Sequence, residues 1–312
     1  MQTLDPNNGF VEYIGDGNPL LDSLAYYDAA SDTAIMRVDD TNTYTPGVDA
    51  GRPSIRAQTL NTYQYGLFIL DLAHMPGGAC GSWPAFWTTS INHWPEQGEI
   101  DIIENVHLAS FSEETIHAGP TFPGDVCEVV GNVNTFPGQQ TGTQTTYNCI
   151  WNATTSDYGT KTQISGQGCS ANNNNPNSFG DGFNLVHGGV YAMEWTDELI
   201  QIWSWENGAA PADIAGGTPD PLTWGKPIFT TSGGNCDIAR HFIDHTVVLD
   251  TKFCGDWGNA VWETSGCYDP VAYPTCSDYV GANPGDYSET YWAVRSLKVY
   301  QWSNAVASTS TT

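Results

Sequence analysis

The stretch Gly98-Glu99-Ile100-Asp101-Ile102-Ile103-Glu104-Asn105 sets three carboxylates among isoleucines, in a chain where only 14% of residues are charged. The β-branched residues and the flanking Gly and Asn predict a strand over Glu99–Glu104. In a regular strand, residues an even number apart share a face, so Glu99 and Asp101 point together while Glu104 points away. A β-bulge at Ile102-Ile103 removes the conflict, because one extra residue resets the alternation and turns Glu104 onto the face of the other two. Glu99 and Glu104 then stand about four strand steps apart, roughly 13 Å between Cα atoms. Their side chains, leaning together, can approach the separation of roughly 5–5.5 Å at which paired carboxyl groups cleave glycosidic bonds with retention. Crowding like charges raises one proton affinity, as a general acid near neutral pH requires, and Asp101 lies between the two glutamates. The alternative reading is a calcium site, but these acids sit among apolar β residues and not in an Asp/Asn/Gly loop.

Outward from this segment the chain reads as all-β. Strands are expected at Tyr65–Leu72, Val190–Trp195, Leu199–Trp205, Thr246–Phe253 and Tyr291–Trp302, each short, rich in aromatic or β-branched residues and bounded by turn formers. Cys276–Asn283 is the one expected helical turn. Between about Phe122 and Phe183 the sequence turns polar and glycine-rich, which predicts long loops pinned by Cys127, Cys149 and Cys169. All-β sandwiches often run long without splitting, so the 312 residues are read as one domain over 1–302, with 303–312 a Ser/Thr-rich tail or linker stub.

The chain carries 35 acids against 9 Lys plus Arg, a net charge of −26 that disfavours nucleic acid and anionic membranes as partners. No apolar run approaches the roughly 18 residues of a membrane span, and Met-Gln-Thr-Leu-Asp-Pro lacks the features of a signal peptide. Eight cysteines without metal-site spacing predict four disulfides and an oxidising, extracellular setting, while leaving about a hundred pairings open. The sequon Asn152-Ala153-Thr154 agrees with secretion. Trp83, Phe86, Trp87 and Trp94 precede the acidic segment; the apolar faces of sugar rings stack on such side chains.

The Glu-x-Asp-x-x-Glu pattern behind Trp-Pro-Ala-Phe-Trp resembles glycoside hydrolase family sixteen, and most closely its fungal laminarinase and endo-1,3(4)-β-glucanase branch. The likeness spans nearly the whole chain, through GRPSIRAQT, LAHMPGGACGSWPAFW, WPEQGEIDIIE, TIHAG, VYAMEW, NCDIARHF, FCGDW and WAVRSLKVYQ in order. It implies a β-jelly-roll sandwich of two antiparallel sheets with a concave substrate cleft. On the same terms Glu99 matches the nucleophile, Asp101 the assisting carboxylate and Glu104 the acid/base. Trp87 and Trp94 match aromatics near the cleavage point, His117 a histidine beside the acids, and Arg56 and Trp257 residues on the glycone side. The spacing of the second Glu separates this branch from the shorter Glu-x-Asp-x-Glu pattern of lichenases and plant transglycosylases. Glu206-Asn207 departs from relatives that often have an arginine there. The implied activity is retaining hydrolysis of β-1,3- or mixed β-1,3/1,4-glucan by a secreted monomer without cofactor or metal. A glucan-binding jelly-roll lectin and a cell-wall transglycosylase are the competing expectations.

Overall fold

The strands expected from the alternating runs form at Gly66–His74, Glu99–Glu104, Gly189–Trp195, Ile200–Glu206, Thr246–Phe253 and Tyr291–Tyr300. The structure is a computed structural model, and it describes residues 5–131, 139–156 and 162–302; the expected tail lies outside the described residues. Two seven-stranded antiparallel sheets dominate it. One runs, edge to edge, through Thr143–Gln144, Cys169–Asn172, Glu113–His117, Glu99–Glu104, Ser82–Thr89, Thr246–Phe253 and Arg56–Gln58. The other runs through Phe229–Thr230, Ile200–Glu206, Gly189–Trp195, Gly66–His74, Tyr291–Tyr300, Thr33–Arg37 and Ala25–Asp28. This is the jelly-roll sandwich that the sequence led us to expect.

The core between the sheets explains which residues alternate and which do not. Ile100, Ile102, Ile103 and Ile116 from the first sheet meet Phe68, Leu70, Tyr191, Met193 and Trp195 from the second. Within Gly66–His74 the stretch 67–70 is apolar on both faces because its outer face is covered too: Leu67 and Ile69 pack with Trp203, Ile214 and Trp224. The helix Cys276–Ala282 carries the capping box Thr275/Asp278.

The segment from Phe122 to Phe183, read from its polarity as long loops, also builds part of the sheet. Thr143–Gln144 and Cys169–Asn172 extend it at the edge beside Glu113–His117. Disulfides do what apolar periodicity does elsewhere: Cys149–Cys169 ties down the strand Cys169–Asn172, Cys127–Cys236 joins the short pair Cys127–Glu128 and Asn235–Cys236, and Cys80–Cys267 and Cys254–Cys276 complete four pairs. Among the described residues no helix is long and apolar enough to cross a membrane.

Candidate active site

The acidic strand is bulged. Its ladder with Ser82–Thr89 pairs Trp87 with Asp101 and then Phe86 with Ile103, so Ile102 has no partner of its own. Ile100, Ile102 and Ile103 are all fully buried in the core, while Glu99 and Glu104 stay half-buried and Asp101 is 1% exposed on the opposite face. All three acids therefore share the face turned away from the other sheet. Gly98 holds the entry to this strand at φ +81°, and any Cβ there would strike the His241 carbonyl and the Phe242 ring at 2.5 Å.

Neighbouring strands supply the surroundings through register. Glu99 lies opposite His117, and Ala85 lies between Asp250 and Glu104. His117 Nε2 is 3.3 Å from Asp101 Oδ2. Room for its ring comes from Gly168, where a Cβ would sit 2.7 Å from Nδ1. The Trp83 indole Nε1–H donates to Glu104 Oε1 at 2.7 Å. Arg56 is locked to buried Asp250 at 2.9 Å and lies 4.8 Å over the Trp87 ring. Trp87 is only 7% exposed, so it floors the site, whereas Trp94 is 47% exposed and faces Trp151 at 5.8 Å. Trp257 meets Trp83 edge-on at 5.7 Å.

Burial and crowding set the proton affinities. Desolvation first, then the Asp101 charge, pushes Glu99 up to about 8. Desolvation followed by the Glu104 charge raises Asp101, and desolvation raises Glu104 against the opposing pull of Lys252 and the Trp83 hydrogen bond. At neutral pH the strand thus holds fewer than three negative charges, as an acid that must donate a proton requires. Glu99, Asp101 and His117 offer donor atoms within 4.8 Å of one another. Three donors fall short of the oxygen cage calcium gathers, and the nearby Lys252 cation works against added positive charge.

Sequence reasoning passed over several groups on this face. Glu113, raised by desolvation, stands on the neighbouring strand. Trp151 comes from the polar 122–183 segment, held beside the site by Trp151 N–H donating to the Ala118 carbonyl at 2.9 Å. Asp250 and Lys252 sit two apart in Thr246–Phe253, and charged residues recurring with period two in an otherwise buried strand are the signal that could have found them.

The chain matches, over residues 1–300, a family model described as "XgeA-like, catalytic GH16 domain". A probable endo-1,3(4)-β-glucanase of Aspergillus fumigatus is 37% identical over 321 residues, covering 98% of this chain and 43% of the relative. The chain spans less than two thirds of the length of the curated relatives it matches. A solved elongating β-1,3-glucosyltransferase of the same family is 36% identical, with a TM-score of 0.82 and coverage of 96% and 94% of the two chains. Laminarinase 16A from Phanerochaete chrysosporium, solved with β-glucans in its donor and acceptor sites, is 34% identical, with a TM-score of 0.80 and coverage of 96% and 93%. With its bulged acidic strand set in the matched jelly roll, the chain belongs to glycoside hydrolase family sixteen, in the XgeA-like group of catalytic domains.

Proposed function

We propose that this chain is a secreted endo-β-glucanase that hydrolyses β-1,3- or mixed β-1,3/1,4-glucan with retention, residues 1–302 acting as one catalytic unit. The observation that carries the reading is the bulge at Ile102, which gathers Glu99, Asp101 and Glu104 on one face beside aromatic side chains. In the productive form the proton of the acid cluster sits on Glu104 and Glu99 is ionised, a shift from the resting preference for Glu99; Glu104 then protonates the leaving oxygen while Glu99 attacks the anomeric carbon. Glu104, now a base, takes a proton from water, which displaces Glu99 and releases the sugar. Asp101, between the two and against His117, sets which carboxyl holds the proton. Trp94 offers an open ring to a neutral sugar face, and Arg56 and Trp257 flank the other end of the acid row. Four disulfides and an exposed Asn152 in its sequon support an extracellular, glycosylated chain.

The test is product analysis on laminarin, lichenan and barley β-glucan, with the anomeric configuration of fresh products followed by NMR and with Glu99→Ala and Glu104→Ala in parallel. New reducing ends of β configuration, lost in both variants, are expected. Wild-type turnover by Glu99→Ala would remove its assigned role, and a folded protein that binds laminarin without cutting it is a lectin. The likeness to an elongating glucosyltransferase favours a second reading, transfer of the glycosyl-enzyme to a sugar in place of water. Products longer than the starting oligosaccharide would establish it.

A further inference from the structure

Lys252 is one of only nine basic Lys and Arg residues, and the strand Thr246–Phe253 sets it directly opposite Trp83 on the acid-bearing face. It is 4% exposed. Its ammonium Nζ sits 4.3 Å from the centroid of Trp83 and 5.6 Å from that of Trp87. One of its protons goes to Asn7 Oδ1 at 2.8 Å, and among the described residues it forms no salt bridge. A buried cation without a paired carboxylate is costly, so it needs a local reason.

Trp83 supplies one. Its indole is held from three sides: by the Lys252 cation, by Trp257 edge-on at 5.7 Å, and by the turn at Gly255, where a Cβ would lie 2.8 Å from Cζ3. The remaining polar edge donates to Glu104 Oε1. A cation over an indole draws electron density from the ring, which makes the N–H a stronger donor. The bonded oxygen of Glu104 is thereby committed, and the other is left to carry the proton toward substrate.

We propose that Lys252 is a positioning residue for Glu104, clamping Trp83 through its ring face so that the indole N–H stays on one carboxylate oxygen, and offsetting the charge of the three crowded acids. Asn7 fixes the ammonium. This rests on Glu104 being the acid/base. Lys252 acts on Glu99, Asp101 and Glu104 of the acidic strand, and the next strand adds Glu113 and His117, which interact with each other. On its own strand Asp250 is neutralised by Arg56. Beside Asn7, Asp5 accepts the Gly9 N–H and Asp256 accepts the Asn8 amide.

The experiment compares wild type, Lys252→Met, Lys252→Arg and Asn7→Ala on laminarin across pH, with near-ultraviolet circular dichroism as the report on the Trp83–Trp257 pair. Removing a cation that lowers the proton affinities of Glu99, Asp101 and Glu104 lets them rise, so both limbs of the kcat/KM profile in Lys252→Met move up by about 0.5–1 pH unit. The value of kcat falls about tenfold with KM little changed, as for loss of an interaction that matters in the transition state. Lys252→Arg restores the profile, and Asn7→Ala shows a smaller shift in the same direction. An unmoved profile in Lys252→Met and Asn7→Ala, with kcat within twofold of wild type, overturns the proposal. Should Lys252→Met fail to fold, Asn7→Ala decides alone on the same criteria. Glu104→Ala keeps the two readings apart: if it stays active the acid/base assignment has failed, and if it is inactive while Lys252→Met is normal only the clamp has.

Discussion

Replacing Glu99 by Gln should stabilise the fold, and only above mildly acidic pH. Burial and the Asp101 charge hold Glu99 at about 8, against 4.5 for an ordinary glutamate. Below about pH 4.5 both the folded and unfolded chains carry a protonated Glu99, so the neutral amide gains nothing there. As pH rises toward 8 the unfolded chain ionises while the folded one resists, the unfolded state binds fewer protons, and stability is lost throughout that window. At about pH 7.5 this difference has a ceiling near 4 kcal/mol for an isolated group. Glu99 is only half-buried, and solvent at its rim with relaxation of Asp101 and His117 reduces the figure to about 1–2 kcal/mol. At about 2–4 °C per kcal/mol for a chain of this size, the midpoint should rise by about 2–8 °C. Differential scanning calorimetry of Glu99→Gln and wild type, at a fixed scan rate at about pH 4 and about pH 7.5, measures it. An equal gain at both pH values, or a loss at the higher one, would refute the reasoning.

Deleting Ile102 leaves Glu-Ile-Asp-Ile-Glu, in which plain alternation keeps Glu104 on the face of Glu99 and Asp101 without a bulge, so a folded deletion should retain laminarin cleavage to within about a hundredfold of wild type; complete loss of turnover with the fold intact would show that the shared face alone does not explain the site. Trp94→Ala should raise KM on polymeric glucan by about 5–150-fold, the worth of one stacked ring at about 1–3 kcal/mol, with kcat changed less. A kcat loss at unchanged KM would place Trp94 outside ground-state binding. The double change Cys149→Ser with Cys169→Ser opens a disulfide spanning 20 residues and should cost about 3 kcal/mol, seen as a lower urea midpoint with a slope equal to or slightly above that of wild type. A wild-type midpoint would show that the sheet edge beside Glu113–His117 does not depend on that bond.

What could be read from the chain depended on whether the signal was local. Runs such as Thr246–Phe253 and Tyr291–Tyr300 declare themselves because their own residues alternate between a core and an outer face. Ser82–Thr89, which lies in the interior of the sheet, does not, because Pro84 argues against an interior strand. The ladder shows why proline is tolerated: pairing with the acidic strand begins only at Ala85 opposite Glu104, so Pro84 lies beyond that partner's end. The short strands within 122–183 were hidden for another reason, being fastened by cysteines whose partners lie as far as 109 residues away, a relation no local pattern carries. Lys252 belongs with these, since its meaning depends on the register that sets it against Trp83.

The bulge is the instructive contrast, because its signal is also a long-range fact yet could be read locally. Chemistry needs Glu99, Asp101 and Glu104 on one face, and packing needs the isoleucines between them on the other. Period two satisfies both demands only up to Asp101. Two consecutive isoleucines, both fully buried, are what an apolar strand shows when it takes one extra residue on its core side, and the partner strand skips from Trp87 to Phe86 across that point. Had Ile103 been polar, the same spacing would have indicated a regular strand with Glu104 on the wrong face. The identity of Ile102 and Ile103, as much as the spacing of the acids, therefore fixes where the third carboxylate points.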